Sequence, residues 1–299
     1  MIVFEAIGYQ AVQPDTSLSW QFVLAAVMFS ALYVCATCFN DAADEEIDKI
    51  NLPNDISRPL MTTNVTGRQL QALGLAVLVL AVVVSVIIRP DYLLFVLAGA
   101  ILNIFYSLPP LRLSYRGIFA SLWLSLSYVV VPFLAGALLR GSMTRTAWYI
   151  LLAMYSFFVS RILLKDFRDY KGDKKFGKLN FLVRHGPRLT CLTSASAWLA
   201  GDFIASYSLY RTQPVLIYLT QALTLVALYA LYILANEKKY NAQLAAVAII
   251  GRMGNALALA LLTALTLRAF HYASMQNNLL ILLVGAFTAA TALNVHSPS

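Results

Sequence analysis

Charge is what this sequence has least of. Only 12% of its 299 residues are Asp, Glu, Lys or Arg, where an ordinary soluble domain has about a quarter. So few charges cannot cover a water-facing globular surface, and soluble fold classes are excluded. Regular segments of about ten residues with alternating polarity are also missing, which excludes a transmembrane β-barrel. Cysteine is nearly absent. Two of the three, Cys35 and Cys38, form a C-A-T-C inside an apolar run, where they read as small helix-packing residues rather than as a redox or zinc pair. No basic segment precedes the first apolar run, so no cleavable signal peptide is expected. There is no low-complexity tract and no second domain, so residues 1–299 are expected to form a single domain.

What is present is apolar. Hydrophobic residues make up 60% of the chain and the mean hydropathy is +0.71. Several apolar runs approach or exceed the roughly 17 to 25 residues that cross a bilayer. Nine spans are expected, near 18–39, 70–88, 92–108, 117–139, 146–164, 190–209, 213–235, 242–266 and 277–294. The fold class is an all-α membrane protein. The eighth span contains Gly251, Arg252, Gly254 and Asn255, so a bent or partly interfacial helix is expected there. Ile2 to Ile7 is too short to span.

The net charge of +8 does not indicate nucleic acid, because the basic residues cluster in loops. Lys49, Arg58, Arg68, Arg112, Arg116, Lys238, Lys239 and nine residues between 161 and 188 follow odd-numbered spans. Arg89, Arg140, Arg145, Arg211 and Arg268 lie on the opposite side. The positive-inside bias places the first set, with the long loops 40–69 and 165–189, in the cytoplasm.

Acidic residues are concentrated. Nine of the fourteen fall in two places, Asp41 to Asp55 and Asp166 to Asp173. Asn40 to Asp48 reads N-D-A-A-D-E-E-I-D, and Lys165 to Asp173 reads K-D-F-R-D-Y-K-G-D. Asp41, Asp44 and Asp48 share the i, i+3, i+7 spacing of Asp166, Asp169 and Asp173, one stripe each on a helix. Each stretch ends an apolar run. Unpaired, such carboxylates repel one another, and an aspartate near the membrane costs a few kcal/mol. A divalent cation removes both objections. Hard oxygen ligands suit Mg²⁺, which takes one or two carboxylates and completes its shell with water and phosphate oxygens. Arg58, Arg112, Lys165, Arg168, Lys171 and Lys178 flank the stripes and suit phosphate oxygens. Solvated helix ends with local ion pairs, such as Asp169 with Lys165, leave the shared spacing of two distant stretches unexplained. The pattern therefore predicts two facing stripes that hold Mg²⁺ around a diphosphate.

Three motifs carry a family resemblance. Asn40 to Asp48, followed by Asn51, Asn54, Arg58 and Pro59, resembles the N-D-x-x-D-x-x-x-D … R-P signature of the UbiA superfamily of intramembrane prenyltransferases. Asp166 to Asp173 resembles its D-x-x-D-x-x-G-D motif. Tyr106 to Leu113, Y-S-L-P-P-L-R-L, resembles the loop between them. The match is strongest over 20–270. It implies a bundle of about nine transmembrane helices around a central cavity, with a cytoplasmic cap of motif loops. It implies a multi-pass enzyme that uses Mg²⁺ to ionise a polyprenyl diphosphate and alkylate a lipophilic or aromatic acceptor in the membrane. Carried over, Asn40, Asp41, Asp44, Asp48, Asp166, Asp169 and Asp173 form the metal and diphosphate set. Arg58, Tyr106, Arg112 and Lys165 become diphosphate contacts. Asp44, Asp169, Arg58 and Lys165 are the residues expected to carry catalysis, with Asn40, Arg168, Lys171 and Lys178 in the substrate-binding set.

The sequence also departs from the family pattern. A full helix usually precedes the one that carries the first motif, and here about seventeen residues do. One expectation is that 277–294 takes the place of that helix; the other is a start codon placed too late, with Ile2 to Ile7 a stub of it. After the second motif, Gly177-Lys178-Leu179-Asn180-Phe181-Leu182 replaces a G-x-x-T-x-P-like segment, and Ser114 stands where lysine is common. Acceptor patterns of the 4-hydroxybenzoate, chlorophyll and menaquinone branches are not found. Two further readings are a terpene cyclase on the same scaffold and a transporter or lipid-binding protein that holds an anionic head group through metal.

Overall fold

The computed structural model describes residues 1–13, 17–53, 55–210, 214–269 and 275–290. Asn54 of the first motif's continuation, residue 213 at the start of the seventh expected span and residues 291–294 at the end of the ninth lie outside them. The described residues are almost wholly helical. Among them, the only β-type pairing is an isolated bridge between Gly117 and Asn180.

The chain opens with a short helix, α1 (Ile2–Val12). The first long helix, α2 (Trp20–Ala43), starts where the Ser19 hydroxyl accepts from the Phe22 amide at 3.2 Å, an ordinary N-cap. It stops at Asp44, whose φ of −106° leaves the helical region. Two short helices follow, α3 (Glu45–Asn51) and α4 (Pro59–Thr62). A capping box between Thr66 and Gln69 then starts α5 (Gly67–Ile88). The next helix is α6 (Leu93–Ser107).

The fourth span is built from α7 (Ile118–Ser125), a π-helical turn at Leu126–Val130 and α8 (Val131–Arg140). Pro132 causes the turn. It has no amide hydrogen for the Tyr128 carbonyl, and the ladder re-forms with a wider step. Thr144 caps α9 (Arg145–Lys175), which runs 31 residues without a break. The remaining helices are α10 (Phe181–Leu209), kinked at Gly186 and Pro187, then α11 (Pro214–Asn236), α12 (Tyr240–Ala269) and α13 (Met275–Ala290).

A helix occupies each of the nine expected places, but among the described residues seven are long and apolar enough to cross a membrane. The sixth, α10, carries Arg184, His185, Arg188 and Asp202, and α13 has only 16 residues. The eighth, α12, runs through Gly251 and Gly254 as one continuous 30-residue helix.

The last helix does not stand in for one before α2. It packs on α11 and α12. Instead α1 lies along α8, with further contacts to α12, α9 and α2. That docking depends on two glycines. A Cβ at Gly8 would collide with the Phe133 carbonyl, and one at Gly136 with the Glu5 carbonyl. Backbones can approach this closely only where side chains are absent. Cys35 and Cys38 are buried free thiols, and Cys38 packs on Gly74 of α5, in keeping with the small-residue reading.

Candidate active site at the two aspartate motifs

The second motif lies on the last three turns of α9, so its i, i+3, i+7 spacing is helical as expected. The first does not lie on one helix. Its chain breaks at Asp44, between α2 and α3, yet Asp41, Asp44 and Asp48 all line one cavity of about 260 Å³. Asp169 and Asp173 of α9 line it too, as do Asn40, Arg58, Tyr106, Lys165, Arg168 and Lys178.

Three residues of the expected set stand apart. Asp166 is buried but does not line the cavity. Arg112 reaches Asp44 from the far side, with Nη2 3.4 Å from Oδ1 and 3.1 Å from the Ala43 carbonyl. Lys171 is exposed, with its ammonium 5.3 Å from the Tyr240 ring centre.

The carboxylates are interleaved with cations. Lys178 Nζ donates to Asp44 Oδ2 at 2.8 Å and stands 3.7 Å from Asp173 Oδ1, so one lysine links both motifs. Arg58 pairs with Asp41 and lies 3.6 Å from Asp48. Arg168 Nε donates to Asp169 at 2.9 Å. Lys165 donates to the Tyr106 hydroxyl. Among the described residues no three His, Cys, Asp or Glu side chains are grouped to hold a metal alone.

Burial shapes the electrostatics. It raises the Asp48 carboxyl to about 7, helped by the Asp44 and Asp169 carboxylates. It would lower the Lys178 ammonium, but the Asp44 and Asp173 carboxylates outweigh it and hold the ammonium well above the ordinary lysine value.

Several contributors escaped sequence reasoning. Asn180, which replaces a threonine of the family pattern, donates to Asp173 Oδ2 at 2.7 Å while its Oδ1 caps α10 at the Val183 amide. Asn51 Oδ1 accepts from the Gly172 amide at 2.6 Å. A Cβ at Gly172 would lie 2.7 Å from the Asn51 side-chain amide, so a larger residue there would displace Asn51 from this contact. Tyr33 and Tyr128 wall the cavity, their ring centres 5.8 Å apart. Tyr128 is placed by the π-helical turn, and Pro132 was the available signal.

The fold and the site together define a multi-pass integral membrane protein with a charged cavity at its helix ends. The sequence profile of the UbiA prenyltransferase family matches residues 1–250, and the chain belongs to that family. It is 34% identical over 152 residues to chlorophyll synthase from Oryza sativa subsp. japonica, covering 49% of this chain and 40% of that relative. It is 26% identical over 189 residues to digeranylgeranylglyceryl phosphate synthase from Sulfurisphaera tokodaii, covering 63% and 66%. The chain thus spans between two fifths and two thirds of these relatives. Its fold resembles a UbiA homolog from Archaeoglobus fulgidus bound to DMAPP and Mg²⁺, with a TM-score of 0.68, 21% identity and coverage of 88% and 94%. It also resembles the apo UbiA homolog from Aeropyrum pernix K1, with a TM-score of 0.64, 18% identity and coverage of 86% and 96%.

Proposed function

We propose that the protein transfers a prenyl group from a polyprenyl diphosphate to a lipophilic or aromatic acceptor within the membrane, with Mg²⁺ as cofactor. One observation carries this reading. Two aspartate motifs more than a hundred residues apart converge with Arg58, Lys165, Arg168 and Lys178 on a single cavity. Aspartates alone would suit a metal, and cations alone an anion. Their interleaving suits a metal–diphosphate complex. Family membership and the DMAPP and Mg²⁺ bound by the Archaeoglobus fulgidus homolog support the same reading.

The residues fit Mg²⁺. The donors are hard oxygens. Asp173 Oδ1 is buried without a hydrogen-bond partner. Asn40, Asp41, Asp44, Asp48, Asp169 and Asp173 would hold it from the cavity wall, with Asp166 behind them. Bound there, Mg²⁺ neutralises the diphosphate and stabilises it as a leaving group.

In the reaction the allylic C1–O bond breaks, and its electron pair departs with the diphosphate. The carbon then bonds to the acceptor, which loses a proton. Arg58 and Lys178, fixed by Asp41 and Asp44, present positive charge where negative charge grows. The Tyr106 hydroxyl orients the Lys165 ammonium. Tyr33 and Tyr128 offer ring faces that exclude water and favour a carbocation. The motif loops face the cytoplasm, a placement supported by the excess of Lys and Arg beside them.

The test is incubation of the purified protein with geranylgeranyl diphosphate, Mg²⁺ and a membrane lipid and quinone extract. Pyrophosphate release with a prenylated product is expected. No release, or a cyclised hydrocarbon formed without acceptor, would overturn the assignment.

A further inference from the structure

A second hollow, of about 450 Å³, lies beside the hinge between α2 and α3, with Ala43, Glu45, Phe176, Arg112 and Tyr115 among its walls. Neither Arg112 nor Tyr115 lines the aspartate cavity. Arg112 has a φ of 38°, in the left-handed region that costs a non-glycine residue free energy. Backbone hydrogen bonds hold it there. Its amide donates to the Leu108 carbonyl at 2.9 Å, and its carbonyl accepts from the Tyr115 amide at 3.0 Å. The resulting turn aims the guanidinium at the end of α2. Nη2 lies 3.1 Å from the Ala43 carbonyl and 3.4 Å from Asp44 Oδ1. The Ala43 carbonyl is one of the last four of its helix, which the helix itself leaves unpaired. A cation also suits the negative end of the helix dipole.

Tyr115 supplies the floor of this arrangement. The Arg112 guanidinium lies 4.1 Å from its ring centre and Lys178 Nζ lies 5.8 Å from the same centre, both within the reach of a cation–π contact. These are the two cations that hold Asp44. Arg112 takes Oδ1, and Lys178 takes Oδ2 at 2.8 Å. Each oxygen of the carboxylate thus has its own cation, and one aromatic ring serves both.

Asp44 needs such support more than its neighbours do. Asp41 lies within α2, and Asp169 and Asp173 lie within α9. Asp44 stands at the break between α2 and α3, with a φ of −106°, so no continuous helix fixes its backbone. Mg²⁺ demands near-ideal octahedral geometry and tolerates little displacement of a carboxylate. Partners that orient a ligand from behind are typically worth about 10- to 100-fold in metal affinity. The family resemblance implies that Arg112 contacts the diphosphate. Its place behind Asp44, outside the cavity wall, gives it a different task.

We propose that Tyr115 and Arg112 are positioning residues for the metal site: Tyr115 orients Arg112, Arg112 orients Asp44 toward Mg²⁺, and neither touches the diphosphate. This rests on the prenyl-transfer reading above. The test uses binding alone. The full chain in nanodiscs of neutral lipid is saturated with geranylgeranyl thiolodiphosphate, an unreactive analogue, and titrated calorimetrically with Mg²⁺. Tyr115→Leu and Arg112→Gln should each weaken Mg²⁺ binding about tenfold. Tyr115→Phe keeps the ring face and should stay within about twofold of the wild type, as should the double variant relative to Arg112→Gln alone, because both changes break the same link. With Mg²⁺ chelated, Tyr115→Leu should bind the analogue as the wild type does. Arg112→Gln carries the test if Tyr115→Leu does not fold. Undiminished Mg²⁺ affinity in either single variant, losses that multiply in the double variant, or an equal loss of analogue affinity under chelation would overturn the proposal. Absence of Mg²⁺ binding in the wild type would instead overturn the prenyl-transfer reading, and this proposal with it.

Discussion

Asp44 and Asp169 occupy equivalent positions in the two motifs but have different surroundings. Asp44 is buried and accepts from Lys178 and Arg112, whereas Asp169 is partly exposed and pairs with Arg168. Either residue changed to alanine should reduce pyrophosphate release at least a hundredfold, the scale of losing one preorganised charge contact. The folded state should survive both. Asp169→Ala removes a half-solvated pair worth about 0–1 kcal/mol. Asp44→Ala leaves Lys178 beside Asp173, 3.7 Å away. Near-normal turnover with a normal melting curve would contradict the assigned roles. Asp48 gives a pH test. Its carboxyl is raised from 3.8 to about 7 in the folded chain. Ionising it therefore costs stability as pH rises from about 4 to 7, and that cost is complete above 7. A bound cation offsets the cost only where the group is ionised. Saturating Mg²⁺ should raise Tm more at pH 8 than at pH 5.5, and chelation should reverse the gain. Equal shifts at both pH values would show that Asp48 does not face the metal.

At the scale of elements, the site depends on how α3 meets the end of α9. Gly172 allows Asn51 to touch the α9 backbone and accept its amide hydrogen. Gly172→Ala should cost about 1–3 kcal/mol, the range for overpacking a tight contact. Combined with Asn51→Ala, the loss should be clearly less than the sum, because the clash partner has gone. Additive losses in a denaturation cycle would show the contact to be incidental. The same scale explains the misreading of the first motif. Its spacing suggests one helix, but Asp44 breaks it, and the three carboxylates face inward because α3 continues at a new angle against α9. Periodicity reports a helical repeat and is blind to a hinge inside it.

Across the whole molecule, the charged cavity lies at one end of the bundle with the long loops around it. The three native cysteines are buried, so a single exposed cysteine can report sidedness. Asn64→Cys, on an exposed loop residue, should react with a membrane-impermeant maleimide from the cytoplasmic side only. Labelling from the outside would reverse the orientation inferred from Lys and Arg.

The sequence by itself determined the membrane class, the place of each long helix and the two aspartate motifs with most of their cationic neighbours. It could do so because hydropathy and i, i+3, i+7 spacing are local properties. Only the tertiary structure decided that Asp166, Arg112 and Lys171 stand off the cavity wall, that α1 rather than α13 lies against α8, and that Asn180, Asn51 and Tyr128 help build the site. Those outcomes depend on how closely backbones approach at Gly8 and Gly136, on the Asn51 side chain meeting the backbone at Gly172, and on where a helix yields at Asp44 or Pro132. Contacts between distant segments settle these features, and no local pattern in the chain records them.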